Sequence, residues 1–182
     1  MTIKPLHLDG AHVITLAPRG DERGYFMRCY DQNIFADHGL NTAWVQENQS
    51  MTVVPGTVRG LHFQYPPHAE TKLVRVLAGR ILDVIVDVRL GSPTFGEHYA
   101  VELSAENHKC LYVPRGFAHG FCALDAPSVM HYKVDNFYMA EAEGGLRWND
   151  PALGIAWPVV TPLTSEKDAR WPLLSDLKPV AL

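Results

Sequence analysis

The chain is 182 residues long and 47% hydrophobic, with 16 Lys and Arg against 20 Asp and Glu for a formal charge of −4. That size suits one packed domain, and the acidic balance leaves no basic stripe for a nucleic-acid backbone, although a local group of arginines can still hold a small phosphorylated ligand. No stretch approaches the ~18 apolar residues of a membrane helix and residues 1–8 lack an apolar run of signal-peptide length, so the chain reads as a soluble cytoplasmic protein.

Gly and Pro punctuate the sequence at intervals that suit the short strands of a sandwich or barrel. In chain order, Asp31 to His38 reads as a short helix, followed by strand candidates at Thr71 to Leu77, Ile81 to Val88, His98 to Leu103, Cys110 to Val113, His119 to Leu124 and Val129 to Val134. The clearest is Ile81 to Val88. One face carries Leu82, Val84, Val86 and Val88, and the other carries Ile81, Asp83, Ile85 and Asp87, so one side reads as core and the other as partly polar. The tail after Thr164 looks briefly helical, and the stretch holding Trp157-Pro158 and Trp171-Pro172-Leu173-Leu174 reads as an extended arm that packs back onto the strands. No repeat or linker divides the chain. It is read as a single domain, 1–182, with N-terminal strands over 1–45, a barrel core over 46–140 and a C-terminal arm over 141–182. Cys29, Cys110 and Cys122 are odd in number and form no CxxC pair, which fits reduced thiols better than a disulfide framework.

Two motifs carry more. Arg59-Gly60-Leu61-His62-Phe63-Gln64 and Pro114-Arg115-Gly116-Phe117-Ala118-His119, whose histidines are fifty-seven residues apart, resemble the paired signatures of a cupin, a double-stranded β-helix of jelly-roll type. The resemblance implies an all-β barrel with short peripheral helices. In metal-binding cupins the first signature supplies His-x-His and then Glu; here Gln64 fills the second His place and Lys72 the Glu place, seven residues before Gly79. A fixed ammonium in place of a metal implies chemistry with no metal and no cofactor, since either cation can polarise a carbonyl or hold an enolate. In such a barrel Asp83 would face the cavity, whereas Asp87 reads as a solvated or turn-side carboxylate.

A longer set of residues narrows the family. Asp21 to Phe26, Gln46-Glu47-Asn48, Gly56 to Gln64, Thr71 to Val76, Asp83, Ser92 to Gly96, Val113 to Phe121, Tyr132, Tyr138, Trp148 to Pro151 and Ser165 to Asp168 together resemble the dTDP-4-dehydrorhamnose 3,5-epimerases. Core packing would not dictate polar identities at so many separate places. The resemblance implies epimerisation of a nucleotide-linked 4-keto-6-deoxy sugar at C3 and C5, in deoxysugar and cell-surface polysaccharide synthesis, by a homodimer whose N-terminal segment reaches the neighbouring subunit's site.

Epimerisation beside a ketone needs a base on one face, an acid on the other and a group that holds the enolate. An imidazole ordinarily titrates near ~6.5, which makes His62 the candidate base. Asp168, by resemblance, would accept the ring's other N–H and stabilise the imidazolium. Tyr132, a phenol on a candidate strand, is the candidate acid. Lys72 would lie toward the C4 oxyanion. His119 would share that contact or hold a sugar hydroxyl, with Asp83 orienting one of these cations. Arg59 and Arg23, with Lys167 or Arg170, are available for the diphosphate, where a guanidinium fork suits two phosphate oxygens. Gln46, Asn48 and Glu143 join the substrate-binding set by resemblance, and Tyr138 and Phe26 would flank the sugar or base.

Five other histidines, His12, His68, His98, His108 and His131, read as ordinary structural or surface residues, as Arg75, Arg80 and Arg89 read as solvated. Tyr132 and Tyr138 can exchange roles, and Asp168 can be a helix cap. Arg28 stands where the family commonly has an acid and Ala140 where it has a proline; the first bears on nucleotide selection. Three alternatives stand beside the double epimerase: one that inverts a single centre or uses another nucleotide, a cupin 3,4-ketoisomerase, and a non-catalytic sugar-binding cupin.

Overall fold

The computed structural model describes residues 1–182. It is built almost entirely of antiparallel strands: β1 (Thr2–Pro5), β2 (His12–Thr15), β3 (Arg19–Asp21), β4 (Gly24–Phe26), β5 (Gln46–Thr52), β6 (Val58–Gln64), β7 (Lys72–Ala78), β8 (Arg80–Asp87), β9 (His98–Ser104), β10 (Lys109–Val113), β11 (Phe117–Ala123), β12 (Ser128–Val134) and β13 (Glu143–Gly145). One α-helix, α1 (Gln32–Asp37), precedes β5, and Asp31 caps it by accepting from the Asn33 and Ile34 N–H groups. Single-turn 3-10 segments occur at Ala140–Ala142, Asp168–Arg170 and Leu174–Asp176.

Two sheets face each other. The six-stranded sheet has the order β1-β2-β10-β7-β12-β5, the five-stranded sheet β13-β6-β11-β8-β9, and β3 and β4 form a separate hairpin. The architecture is the expected all-β jelly roll. Gly79 turns the chain from β7 in one sheet to β8 in the other. It has φ +71°, and a Cβ there would lie 2.8 Å from the Pro127 carbonyl oxygen, so both the backbone and the space require glycine.

Three apolar layers hold the molecule together. Between the sheets, Val74, Val76, Leu111, Val113 and Met130 meet Ile81, Ile85, Leu103, Phe117 and Phe121. Outside the six-stranded sheet, Phe35 of α1 and Leu40 cover Ile14, Leu73, Cys110 and Tyr112. Outside the five-stranded sheet, the arm lays Leu146, Leu153, Leu177 and Val180 on Leu61, Phe63, Val84, Val86 and Ala118.

The third layer corrects the reading of β8. Both of its faces are core: Ile81 and Ile85 point between the sheets and Val84 and Val86 lie under the arm. Asp87 is not solvated but fully buried. It accepts from Arg89 Nε and Nη2 at 3.0 and 2.7 Å and from the Ser92 and Thr94 hydroxyls at 2.6 Å each. Burial alone would raise its carboxyl, yet these donors outweigh it and bring the pKa down to about 2. Arg89 is likewise drawn in rather than solvated, with its guanidinium 4.6 Å over the Phe117 ring. The loop that follows β8 folds back over the strand end, and alternation within the strand carries no information about that.

Candidate active site

The open end of the barrel holds a cavity of about 350 Å³, lined by residues of both sheets. Strand register explains which side chains meet there, because residues directly opposite one another on adjacent strands share a face. In the six-stranded sheet, Lys72 and Gln46 flank Val134, and Val74 and Asn48 flank Tyr132. In the five-stranded sheet, Glu143 stands opposite Gln64, and Gly145, His62, His119 and Ile85 form one row. Ile85 points between the sheets, so His62 and His119 do as well.

His62 Nε2 donates to Asp168 Oδ1 at 2.6 Å, which leaves Nδ1 as the ring nitrogen open to the cavity. Asp168 is buried on a 3-10 turn of the arm. Its Oδ2 accepts from the Gly60 N–H at 3.3 Å, and its own N–H donates to Ser165 Oγ at 3.0 Å. Burial would raise this carboxyl, but His62, the Gly60 N–H and Ser165 prevail and lower it. Gly60 has φ +131° and a Cβ there would meet the Gly120 Cα at 2.6 Å, so glycine lets β6 and β11 approach while its N–H faces the carboxylate. The Trp171 ring packs edge-on against His62 with centroids 6.2 Å apart. A Cβ on Gly145 would overlap that indole, so the small residue makes the space in which Trp171 backs the imidazole.

Tyr132 lines the opposite wall with its hydroxyl free of protein partners. Its pKa is raised, first by burial and then by the Glu70 carboxylate, which keeps the phenol protonated. Lys72 is buried and lies 3.1 Å from Glu70 Oε1. Gln64 spends its amide on structure: Nε2 donates toward the His68 carbonyl, Glu70 Oε2 and the Phe137 carbonyl at 2.9, 3.2 and 3.2 Å, while Oε1 accepts from the Met139 N–H at 2.7 Å. This donor set does not fit a metal: one imidazole nitrogen is on a carboxylate, an amide replaces the second imidazole and an ammonium occupies the carboxylate place.

The rim is polar. The Tyr138 N–H donates to Gln46 Oε1 at 2.8 Å, and its hydroxyl donates to Glu143 Oε2 at 3.2 Å. The Glu143 charge, ahead of slight burial, raises that phenol's pKa. Lys167 pairs with the same Glu143 oxygen and lies over the Trp171 ring.

The structure thus brings together His62, Asp168, Tyr132, Lys72, Gln46, Asn48, Tyr138 and Glu143. His119 and Asp83 also point between the sheets but are not among the residues that line the cavity; His119 Nε2 lies 2.7 Å from Asp83 Oδ1 and both residues are buried. Arg59 lies on β6 with Nη2 3.4 Å from the Met51 carbonyl, outside the residues that line the cavity. Arg170 pairs with Glu166 at the surface. Arg23 and Phe26 belong to the β3–β4 hairpin, away from this chain's own cavity; Arg23 is paired to Asp21, and Phe26 borders a different pocket with Arg19 and Arg28. Glu70, Trp171 and Gly145 were not singled out from sequence as site residues. A carboxylate just ahead of a strand looks like surface, and Trp171 was visible only as a packing residue of the arm.

Comparison with known proteins fits this geometry. A family model described as dTDP-4-dehydrorhamnose 3,5-epimerase matches residues 5–176. The chain belongs to that family. It is 49% identical over 170 residues to the dTDP-4-dehydrorhamnose 3,5-epimerase of Sinorhizobium fredii, covering 92% of this chain and 87% of that one. The Bacillus anthracis dTDP-4-dehydrorhamnose 3,5-epimerase, solved with TDP and PPi bound, superposes with a TM-score of 0.92 at 44% identity, over 94% of this chain and 98% of that one. A dTDP-6-deoxy-D-glucose-3,5-epimerase of Legionella pneumophila, solved with dTDP-4-keto-L-rhamnose, has a TM-score of 0.92 at 39% identity, over 97% and 94%.

Proposed function

We propose that this member of the epimerase family, an isomerase, converts dTDP-4-dehydro-6-deoxy-D-glucose to dTDP-4-dehydro-L-rhamnose, with His62 as base and Tyr132 as acid. The observation that carries the reading is their placement: the free Nδ1 of His62 and the unpartnered Tyr132 hydroxyl line opposite walls of one cavity, and the two sheets hold them there. His62 takes the proton from the carbon beside the ketone, and Asp168 stabilises the imidazolium through Nε2. Lys72 faces the oxyanion that develops at C4. Tyr132 returns a proton from the other side, so the centre inverts.

Tyr138 and Glu143 at the rim support binding of the nucleotide portion, together with Gln46 and Asn48. Arg23 and Phe26 enter through a second copy. The β3–β4 hairpin carries Tyr25 and Phe26 at 62% and 69% exposure, an apolar tip on an edge that a two-fold dimer would cover. No helix is long and apolar enough to cross a membrane, and the three free cysteines support a reducing, cytoplasmic setting.

Incubation with dTDP-4-keto-6-deoxyglucose in deuterated water, followed by NMR, tests the reading. Deuterium is expected at both C3 and C5 with inversion of both centres. Label at C3 alone identifies a single-centre epimerase, and a shift of the carbonyl to C3 identifies a ketoisomerase.

A further inference from the structure

Glu70 is a carboxylate inside the acid–base pocket that the reaction as described does not use. Its Oε1 lies 3.1 Å from Lys72 Nζ, with the two side chains 12% and 10% exposed. Its Oε2 accepts from Gln64 Nε2 at 3.2 Å, and Gln64 is itself fixed by the backbone of residues 68, 137 and 139. Each carboxylate oxygen therefore has one task, and through Gln64 the side chain is tied to the segment around residues 137–139 beside the cavity.

We propose that Glu70 is a positioning residue, anchored by Gln64, that aims the Lys72 ammonium at the developing oxyanion and holds a negative charge beside Tyr132. The inference rests on the epimerase reading of the pocket. A lysine is a compact charge on a flexible four-carbon stem, and its stabilisation of an oxyanion depends on being in place before charge develops. One carboxylate contact fixes the stem and leaves the other N–H groups for substrate. It also supplies the counter-ion that a buried ammonium requires. The same charge, second to burial, holds the Tyr132 phenol in its protonated form, the state an acid must keep until the enolate is ready. Glu70 is no candidate base, since its oxygens are committed to Lys72 and Gln64.

Glu70→Ala and Glu70→Gln separate geometry from charge. Gln keeps an oxygen acceptor for the ammonium; Ala removes it. For Glu70→Ala, kcat is expected to fall at least about tenfold with KM held within about threefold, and Glu70→Gln, which restores an acceptor for the ammonium but neither the counter-ion nor an acceptor for the Gln64 NH2, is expected to recover only part of that loss. The alkaline limb of the kcat–pH profile should move to lower pH in Glu70→Gln, because Tyr132 loses its negative neighbour. The other groups facing Glu70 and Tyr132 are Lys72 on β7, His62 on β6, Tyr138 on the rim, and Glu143 on β13 with Lys167, none of them substituted in this variant. Wild-type kcat in Glu70→Ala, or a rise in KM with kcat intact, would overturn the proposal; the latter would make Glu70 a substrate contact. Should Glu70→Ala fail to fold, the alkaline limb of Glu70→Gln decides alone, and an unmoved limb sinks the idea. If the wild-type chain incorporates no deuterium, the parent reading falls and this inference with it; if it does and the Glu70 variants match it, only this inference falls.

Discussion

His62 Nε2 and Asp168 Oδ1 lie 2.6 Å apart although 106 residues of chain separate them, one on a barrel strand and the other on the arm that wraps it. The arm therefore does more than cover the five-stranded sheet, because it fixes which imidazole nitrogen faces the cavity. In Asp168→Asn the amide can satisfy the Gly60 N–H with its oxygen and turn its NH2 toward the ring, which would move the ring proton to Nδ1. A protonated Nδ1 cannot act as base. We expect kcat to fall by about 10²- to 10⁴-fold with the far-UV circular dichroism unchanged, and a loss under about threefold would remove Asp168 from this role.

Base and acid separate in exchange experiments. His62→Asn is expected to abolish solvent exchange at both C3 and C5. Tyr132→Phe should keep measurable exchange, because His62 can still remove and return a proton, but should lose inversion. Epimerisation by the Phe variant at the wild-type rate would transfer the acid's role to Tyr138 or to a water.

Asp87 predicts the acid stability of the fold. Its pKa in the folded chain is lowered to about 2 from 3.8, so it contributes stability in full above the unfolded value and loses it as pH falls through about 2. The contribution is on the order of 2 kcal/mol at neutral pH. Asp87→Asn should lower Tm at pH 7 and bring the variant and wild-type curves together near pH 2. Parallel curves across that range would show that Asp87 is not what titrates.

The engagement of Gln64 with Met139, Phe137 and Glu70 leaves no vacant ligand position beside His62. Exhaustive treatment with EDTA should leave turnover unchanged. Loss of activity restored by Zn²⁺, Fe²⁺ or Mn²⁺ would contradict the replacement of a metal by Lys72.

The hairpin predicts complementation between inactive chains. If Arg23 reaches the partner's cavity, mixing Arg23→Ala with His62→Asn assembles hybrid dimers with one intact site, and about a quarter of wild-type activity should return. No recovery, with dimers confirmed by light scattering, would place both residues in the same subunit's pocket.

Much of the strand order was legible because β7 to β12 alternate or carry β-branched runs, and their observed ends lie within two residues of the expected ones. β8 shows what alternation misses. It predicts two unlike faces but not that a distant arm will bury the second one, and it cannot foresee that Ser92 and Thr94 will reach back to Asp87. At the site, the neighbours of His62 come from β13 and the arm, which are far apart in sequence, and only the family resemblance pointed to Asp168. Glu70 is illegible for a further reason: its partners Lys72 and Gln64 read from the sequence as stand-ins for metal ligands, and that reading does not ask what neutralises the lysine.

Trp171 gives the pocket an optical signal of its own. Its indole stands edge-on to His62 with centroids 6.2 Å apart, and protonation of the imidazole at that range is expected to quench its emission. The difference in fluorescence between the native chain and Trp171→Phe therefore isolates one tryptophan among four and reports proton arrival on His62. Followed in a stopped-flow instrument, that signal would time the first proton transfer directly, without waiting for product.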